Sequence, residues 1–127
     1  METDDIRFFK CGTCGNIITK LKDSSVGVVC CGERMTELIP NTTDGAMEKH
    51  VPVVENMGSH IKVTVGSDPH PMTESHYIQW IVIKTSKGMQ VKYLKPTDPP
   101  VANFVLADDE KFEAVYEYCN LHGLWKS

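Results

Sequence analysis

The chain has 127 residues, 41% of them hydrophobic and 24% charged, and its 13 Lys and Arg against 17 Asp and Glu leave a formal net charge of −4. That length accommodates one globular domain or two small ones, the composition is that of an ordinary soluble chain, and the acidic balance excludes a nucleic-acid binder, which needs a basic excess to meet phosphates. Five Cys and five His stand out. Four of the Cys fall within the first 31 residues and all five His between positions 50 and 122, a split that predicts two metal sites of different chemistry, one of sulfur only and one mainly of nitrogen.

The acidic start, Met1-Glu2-Thr3-Asp4-Asp5, lacks the basic residues and the apolar stretch of roughly 7–15 residues that mark a secretory leader. No run approaches the about 20 apolar residues of a membrane span. The expectation is a cytoplasmic chain with reduced thiols and with neither membrane nor nucleic acid among its partners. An odd number of Cys also fits a closed disulfide framework poorly.

Residues 1–40 form the first predicted unit. Short β-like runs at 7–10, 16–21 and 27–30 are punctuated by Gly12, Gly15, Gly27 and Gly32. A piece of about 40 residues seldom buries enough apolar surface to fold unaided, so a metal is expected to hold it. Cys11-x-x-Cys14 is a metal-binding knuckle, with Gly12 and Gly15 expected to let the backbone turn tightly. The second pair, Cys30-Cys31, is adjacent. Neighbours on an extended strand point to opposite faces, so both reach one metal only if the chain bends there, and Gly32 helps it bend. The resulting four-cysteine site is expected to be distorted from a regular tetrahedron. Its spacing suits a structural zinc ribbon as well as a redox-active iron site, and a Cys30–Cys31 disulfide is a further alternative.

Pro40-Asn41-Thr42-Thr43-Asp44-Gly45 is rich in turn formers and reads as a linker. Residues 41–127 are predicted as a strand-rich second unit. His60–Val65 alternates apolar and polar residues with the period of a half-buried strand, which puts His60 outward beside Lys62 and Thr64. Further strands are expected at 51–55, 77–84, 89–95 after a turn at Ser86-Lys87-Gly88, 102–106, 111–119 and 124–125. Helical periodicity over 108–118 competes with the strand there, whose Phe112, Ala114, Tyr116 and Tyr118 would share one side. About seven short strands at this spacing predict a β-sandwich.

Four His of the second unit sit where a ligand could be held. His50 lies in Glu48-Lys49-His50-Val51-Pro52, and His70 lies between Pro69 and Pro71, which stiffen its loop. His76 follows six residues on, and Cys119-x-x-His122 forms a compact two-ligand hook. With His60 set aside, four imidazoles and one thiol remain. Five donors exceed the four that zinc usually takes, and blue copper uses two His, one Cys and an axial Met, whereas no Met follows Cys119. Four imidazoles and a thiolate suit a square-pyramidal iron with one face open, a geometry for redox chemistry on a small ligand.

Together the Cys11-x-x-Cys14 and Cys30-Cys31 pairs, the Glu48-Lys49-His50-Val51-Pro52 box, His70-Pro71-Met72, His76-Tyr77 and Cys119-Asn120-Leu121-His122-Gly123 resemble desulfoferrodoxin, the two-iron class of the superoxide reductase family. The resemblance spans nearly the whole chain. It implies an all-β architecture, with a desulforedoxin-like domain over residues 1–40 holding one iron on the four sulfurs of Cys11, Cys14, Cys30 and Cys31. An immunoglobulin-like seven-stranded β-sandwich over 41–127 would hold a second iron, with His50, His70, His76 and His122 equatorial and Cys119 axial. The implied activity is one-electron reduction of superoxide to hydrogen peroxide without oxygen production, an oxidoreductase role in detoxification under oxidative stress; a non-catalytic iron electron-transfer protein is the alternative. The resemblance further implies a homodimer and rubredoxin or a similar small carrier as electron donor. It assigns Lys49 to steering the anion and organising protons, and Glu48 to ligating the ferric ion.

Overall fold

The computed structural model describes residues 5–127; the acidic start at residues 1–4 lies outside the described residues. The chain divides into two compact units, Met1–Ile39 and Pro40–Ser127.

The first unit is built from five short strands, β1 (Phe8–Lys10), β2 (Ile17–Thr19), β3 (Val29–Cys30), β4 (Glu33–Arg34) and β5 (Thr36–Leu38). β1 is the centre of a three-stranded antiparallel sheet, with Phe9 opposite Ile18 on β2 and opposite Glu37 on β5. Phe8 and Phe9 are its buried apolar weight. Arg7 closes the sheet's end with a two-pronged contact to Glu37, at 3.0 and 2.9 Å, and a further bond to Asp23. Such half-exposed pairs fix geometry more than they stabilise, which leaves the unit with little core of its own. β3 and β4 form a separate two-residue hairpin whose turn is Cys31-Gly32.

The second unit carries α1 (Met47–His50), then β6 (Pro52–Asn56), β7 (His60–Val65), β8 (Ile78–Thr85), β9 (Gly88–Tyr93), β10 (Val101–Val105), β11 (Phe112–Cys119) and β12 (Gly123–Lys126). The seven strands form two antiparallel sheets, ordered β10-β7-β6 and β12-β11-β8-β9. Ile61, Val63 and Val65 of β7 and Ala102 and Phe104 of β10 pack against Ile78, Ile81 and Ile83 of β8 and Val115 and Cys119 of β11. This is the β-sandwich expected from the strand spacing. Among the described residues no helix is long and apolar enough to cross a membrane.

Two expectations change in detail. The helical alternative over 108–118 is overturned: Phe112–Cys119 is a strand paired with both β8 and β12. Its faces also differ from the simple alternation. A register shift between Phe112 and Ala114 turns Phe112 against the core, away from the side shared by Ala114, Tyr116 and Tyr118; a bulge inserts a residue and re-aims what precedes it. Residues 40–45 are more than a linker. Asn41 bonds Leu124 and Lys126 through backbone and side chain at 2.8–3.1 Å, so this segment is strapped along β12. Asn in a turn offers both a donor and an acceptor, and Asn41 spends both on the last strand.

Glu117 lies on the core face of β11, fully buried opposite Ile81, and neither carboxylate oxygen has a protein hydrogen-bond partner. Burial pushes its carboxyl from 4.5 up to about 9. At neutral pH it is therefore protonated in the fold and ionised in the unfolded chain. The native state binds the additional proton between these values, so its contribution to stability declines as pH rises from 4.5 towards about 9. Glu117→Gln should remove this slope. Its stability relative to the parent chain should rise by on the order of 3 kcal/mol between pH 4.5 and pH 7, read from denaturant melts at the two pH values. An unchanged difference would mean that Glu117 is not a buried acid.

Candidate metal centres

The cysteine set is made by two turns. In the first, the Cys11 N–H donates to Asn16 O (2.9 Å) and the Gly15 N–H to Cys11 O (3.1 Å), with Gly15 at φ +83°. The N–H groups of Thr13 and Cys14 both point at Cys11 Sγ, each at 3.4 Å. Gly15 thus takes the left-handed conformation expected of it. Gly12 does not, and a Cβ there would meet nothing, so the knuckle does not need it to be glycine. In the second turn Cys31 and Gly32 both have positive φ, 54° and 77°, as the tightest β-hairpin turn requires. This left-handed pair solves the problem of adjacent cysteines, because Cys31 is swung off the strand and both sulfurs come to the same side.

Cys11, Cys14, Cys30 and Cys31 consequently bring their sulfurs within 4.8 Å of one another. All four are free thiols, so the alternative disulfide is not formed. The cluster cannot ionise unaided. The Cys14 and Thr13 N–H groups hold the Cys11 thiol down to about 6, while the nearby Cys14 sulfur raises Cys30 and pushes Cys31 up to about 12. Four thiolates packed this closely need a cation among them.

In the second unit His50 ends α1, His70 and His76 lie between β7 and β8, Cys119 ends β11, and His122 sits in the turn to β12. Their donor atoms also fall within 4.8 Å of one another. The imidazoles close a ring of four neighbours. His50–His70, His70–His76, His76–His122 and His122–His50 have centroids 4.6–5.0 Å apart and planes 74–84° to each other. Cys119 Sγ lies 3.4 Å from His70 Nε2 and 3.9 Å from His122 Nδ1.

Backbone carbonyls fix which nitrogens carry lone pairs. His50 Nδ1 faces Ala46 O at 2.8 Å and His70 Nδ1 faces Pro71 O at 2.6 Å. A carbonyl only accepts, so each Nδ1 carries the proton and each Nε2 is left as an acceptor. Those two Nε2 atoms stand 3.2 Å apart, and His50 Nε2 is 3.0 Å from His122 Nδ1. His76 Nε2 is buried with no partner. Burial pushes His50, His76 and His70 below the ordinary imidazole value, His70 to about 4, so these rings are neutral at pH 7. Burial raises the Cys119 thiol, opposed by the N–H groups of Leu121 and His122. Facing lone pairs without protons repel, and a cation between them turns the repulsion into ligation.

Trp125 and residues 43–45 complete the site, and the sequence did not single them out. The Trp125 indole stacks on His50 (centroids 4.9 Å, planes 22° apart) and donates Nε1–H to His122 O at 3.0 Å. The Thr43 hydroxyl donates to the same carbonyl. A Cβ on Gly45 would meet His50 Cε1 and Trp125 Cζ2 at 3.2 Å and His122 Cβ at 3.3 Å. Glu48 is exposed on α1 and does not belong to the donor cluster. Lys49 Nζ pairs with Asp68 Oδ2 at 2.9 Å. His60 is exposed, as expected, with Nε2 2.9 Å from Asn103 Oδ1.

A β-sandwich whose loops gather four imidazoles and one thiol, together with a small sheet carrying four thiols, defines a non-haem iron protein with two centres. Sulfur alone suits iron or zinc, but five N and S donors on one ion exceed what zinc takes. The two donor sets fit two iron ions per chain. The family model described as "Desulfoferrodoxin" matches residues 42–127, and "Desulfoferrodoxin, N-terminal domain" matches residues 3–38. The chain belongs to the desulfoferrodoxin family. It is 47% identical over 119 residues to a desulfoferrodoxin of Nitratidesulfovibrio vulgaris, covering 94% of this chain and 93% of that protein. The crystal structure of the superoxide reductase from Treponema pallidum matches with a TM-score of 0.82 at 39% identity, covering 98% of this chain and 99% of that one. A superoxide reductase of Pyrococcus horikoshii is 37% identical over 97 residues, covering 63% of this chain and 84% of its own.

Gly45→Ala should force His50, Trp125 and His122 apart, since none of the three is the free end of a flexible side chain. Iron at the second centre should then be lost to a chelator faster than in the parent chain, with retention at the first centre unchanged. Time courses of metal release followed by the absorption of each centre check this. Equal release in the two proteins would mean that the 43–45 strap does not hold the site.

Proposed function

We propose that the chain is a superoxide reductase, carrying out the one-electron reduction of superoxide to hydrogen peroxide without forming oxygen. The ring of four imidazoles with one buried thiol carries this reading. Five protein donors leave one position of a six-coordinate ion to a small ligand, and the donor set is too rich in nitrogen and sulfur for a structural zinc site. The names of the Treponema pallidum and Pyrococcus horikoshii proteins support it.

His50, His70, His76, His122 and Cys119 would hold the second iron, and Cys11, Cys14, Cys30 and Cys31 the first. Bound iron would supply a one-electron couple, made more electron-rich by the Cys119 thiolate. The remaining work belongs to the chain. The carbonyls of Ala46 and Pro71 keep His50 and His70 in the tautomer that presents Nε2. Trp125 and the 43–45 strap pack against His50 and His122 and hold them in place. Superoxide gains one electron and two protons to leave as hydrogen peroxide. Lys49, next to His50, attracts the anion with its ammonium and holds a proton at Nζ. Glu48, a hard carboxylate on the same turn, would offer a further oxygen donor suited to the more highly charged, oxidised ion. The electron comes from rubredoxin or a similar small carrier, and the protein acts in the cytoplasm as a homodimer.

The decisive measurement is stoichiometry. The reduced protein exposed to superoxide should give one hydrogen peroxide per superoxide consumed and no oxygen; oxygen evolution, or no reaction, would overturn the proposal. Cys119→Ser should abolish the reaction and leave the absorption of the four-cysteine centre intact. Lys49→Ala should slow the second-order reaction several-fold and flatten its dependence on ionic strength, read by pulse radiolysis. An unchanged rate would remove Lys49 from the steering role.

A further inference from the structure

The Lys49 ammonium is not free. Its Nζ lies 2.9 Å from Asp68 Oδ2, in an ion pair whose side chains are 42% and 58% exposed. The pair joins the two segments that carry His50 and His70, and the backbone brings them together without help from either side chain. Gly66, at φ +86°, sits so close to α1 that a Cβ would come within 2.8 Å of Glu48 O and Lys49 Cα. The Asp68 N–H donates to Glu48 O at 2.8 Å, and the Ser67 hydroxyl reaches the same carbonyl at 3.3 Å. The His70 N–H donates to Val65 O at 3.1 Å. The Asp68 carboxylate is therefore carried to Lys49 on a turn that its own side chain does not support.

We propose that Asp68 sets the strength with which this protein attracts its anionic substrate, by masking the charge of Lys49; the inference rests on the superoxide reductase reading given above. A lone ammonium acts over a Debye length of about 8–10 Å. An ammonium 2.9 Å from a carboxylate is a dipole, and its field falls off faster with distance. Glu48, Lys49 and Asp68 together carry a formal −1, on a chain whose net charge is −4. The ion held by the imidazoles and one thiolate adds positive charge to this count, so an approaching anion is still attracted, but more weakly than it would be by Lys49 without its partner. Asp68 is a positioning residue: it touches Lys49 and none of the donor atoms. Both partners are half in water, so the pair opens readily, and the masked charge can be released when an anion arrives.

The test is a double-mutant cycle on the full-length iron-loaded protein. Asp68→Asn keeps the shape and the backbone N–H to Glu48. It should raise the second-order rate with superoxide on the order of threefold at low salt and make the rate fall more steeply with added salt. Lys49→Ala should lower the rate, and the double variant should stay well below Asp68→Asn, because the charge that Asp68 masks is then missing; a double variant as fast as Asp68→Asn would overturn masking. A slower Asp68→Asn would overturn masking and show that Asp68 aims Lys49 productively. A second readout does not depend on the reaction. Acylation of lysines by an anionic reagent, mapped by mass spectrometry, should proceed several-fold faster at Lys49 in Asp68→Asn than in the parent and equally at Lys62 in both. Equal labelling at Lys49 would mean that the pair does not form in solution and overturns the proposal. If the parent consumes no superoxide while the labelling difference stands, the functional reading fails and the ion pair survives.

Discussion

Two acceptor nitrogens, His50 Nε2 and His70 Nε2, face each other at 3.2 Å inside the second unit, and His122 Nδ1 lies 3.0 Å from the first. Arranging lone pairs in this way is costly for a folded chain on its own, and the surroundings show how the cost is met. Carbonyls of Ala46 and Pro71 fix the tautomers. Trp125 stacks on one ring and ties down the backbone of another. Gly45 allows a strap to lie against both. Beneath them the apolar interior from β7, β8, β10 and β11 supplies burial that needs no metal. The sandwich is stable enough to hold a site that is unfavourable until an ion fills it, and a site built in advance binds with little reorganisation.

The cysteine centre reverses this relation. Its four ligands come from two turns within the short stretch from Cys11 to Cys31, and the unit around them has a three-stranded sheet, a two-residue hairpin and few buried side chains. There the metal joins turns that the core does not hold together, as expected for a piece of this size. The left-handed Cys31 is the clearest sign. A β-carbon in that conformation is unfavourable by about 1 kcal/mol or more, and the turn tolerates it because the alternative leaves the Cys31 sulfur on the wrong face of β3.

Much of this was legible in the residues, for reasons that can be named. His60–Val65 appears with the bounds expected because one of its faces is buried and the other wet, which is what period-two alternation encodes. Cys11-x-x-Cys14 and Cys119-x-x-His122 are readable because a ligand hook is local in sequence. The four imidazoles are legible from their local settings, the prolines around His70 and the Cys119-x-x-His122 hook among them, once the outward His60 is set aside; that they close a ring is visible only in the fold, where residues 50, 76 and 122 meet. What stayed hidden was either too short or too distant. α1 is a single turn and shows no period. Asn41, Thr43 and Gly45 look like any turn-rich linker until β12 is placed beside them. Trp125 looked like the end of a strand. Glu117 reads as the polar member of an alternating strand, and nothing local says that β11 is covered on both faces. Gly12 erred in the other direction, a glycine beside a knuckle that does not require one.

The site also divides its residues by mobility. The five donors are buried or half-buried, anchored at strand ends or by carbonyl bonds, and the sheets behind them are close-packed and resist displacement. Glu48 and Lys49 are on the same short turn as His50 yet reach into solvent, where side chains change rotamer on the ps–ns timescale. An ion that alternates between two charges needs some part of its surroundings to respond, and a rigid ring of imidazoles cannot. On the proposed reading the response comes from charged groups that can move, and Glu48, Lys49 and the Asp68 that pairs with it are such groups beside His50 and His70. The net charge of the chain, which excluded nucleic acid at the outset, is therefore a poor guide to the site's electrostatics. A few half-exposed charges, each weakly held, decide what an anion meets there, and the folded core decides only where they stand.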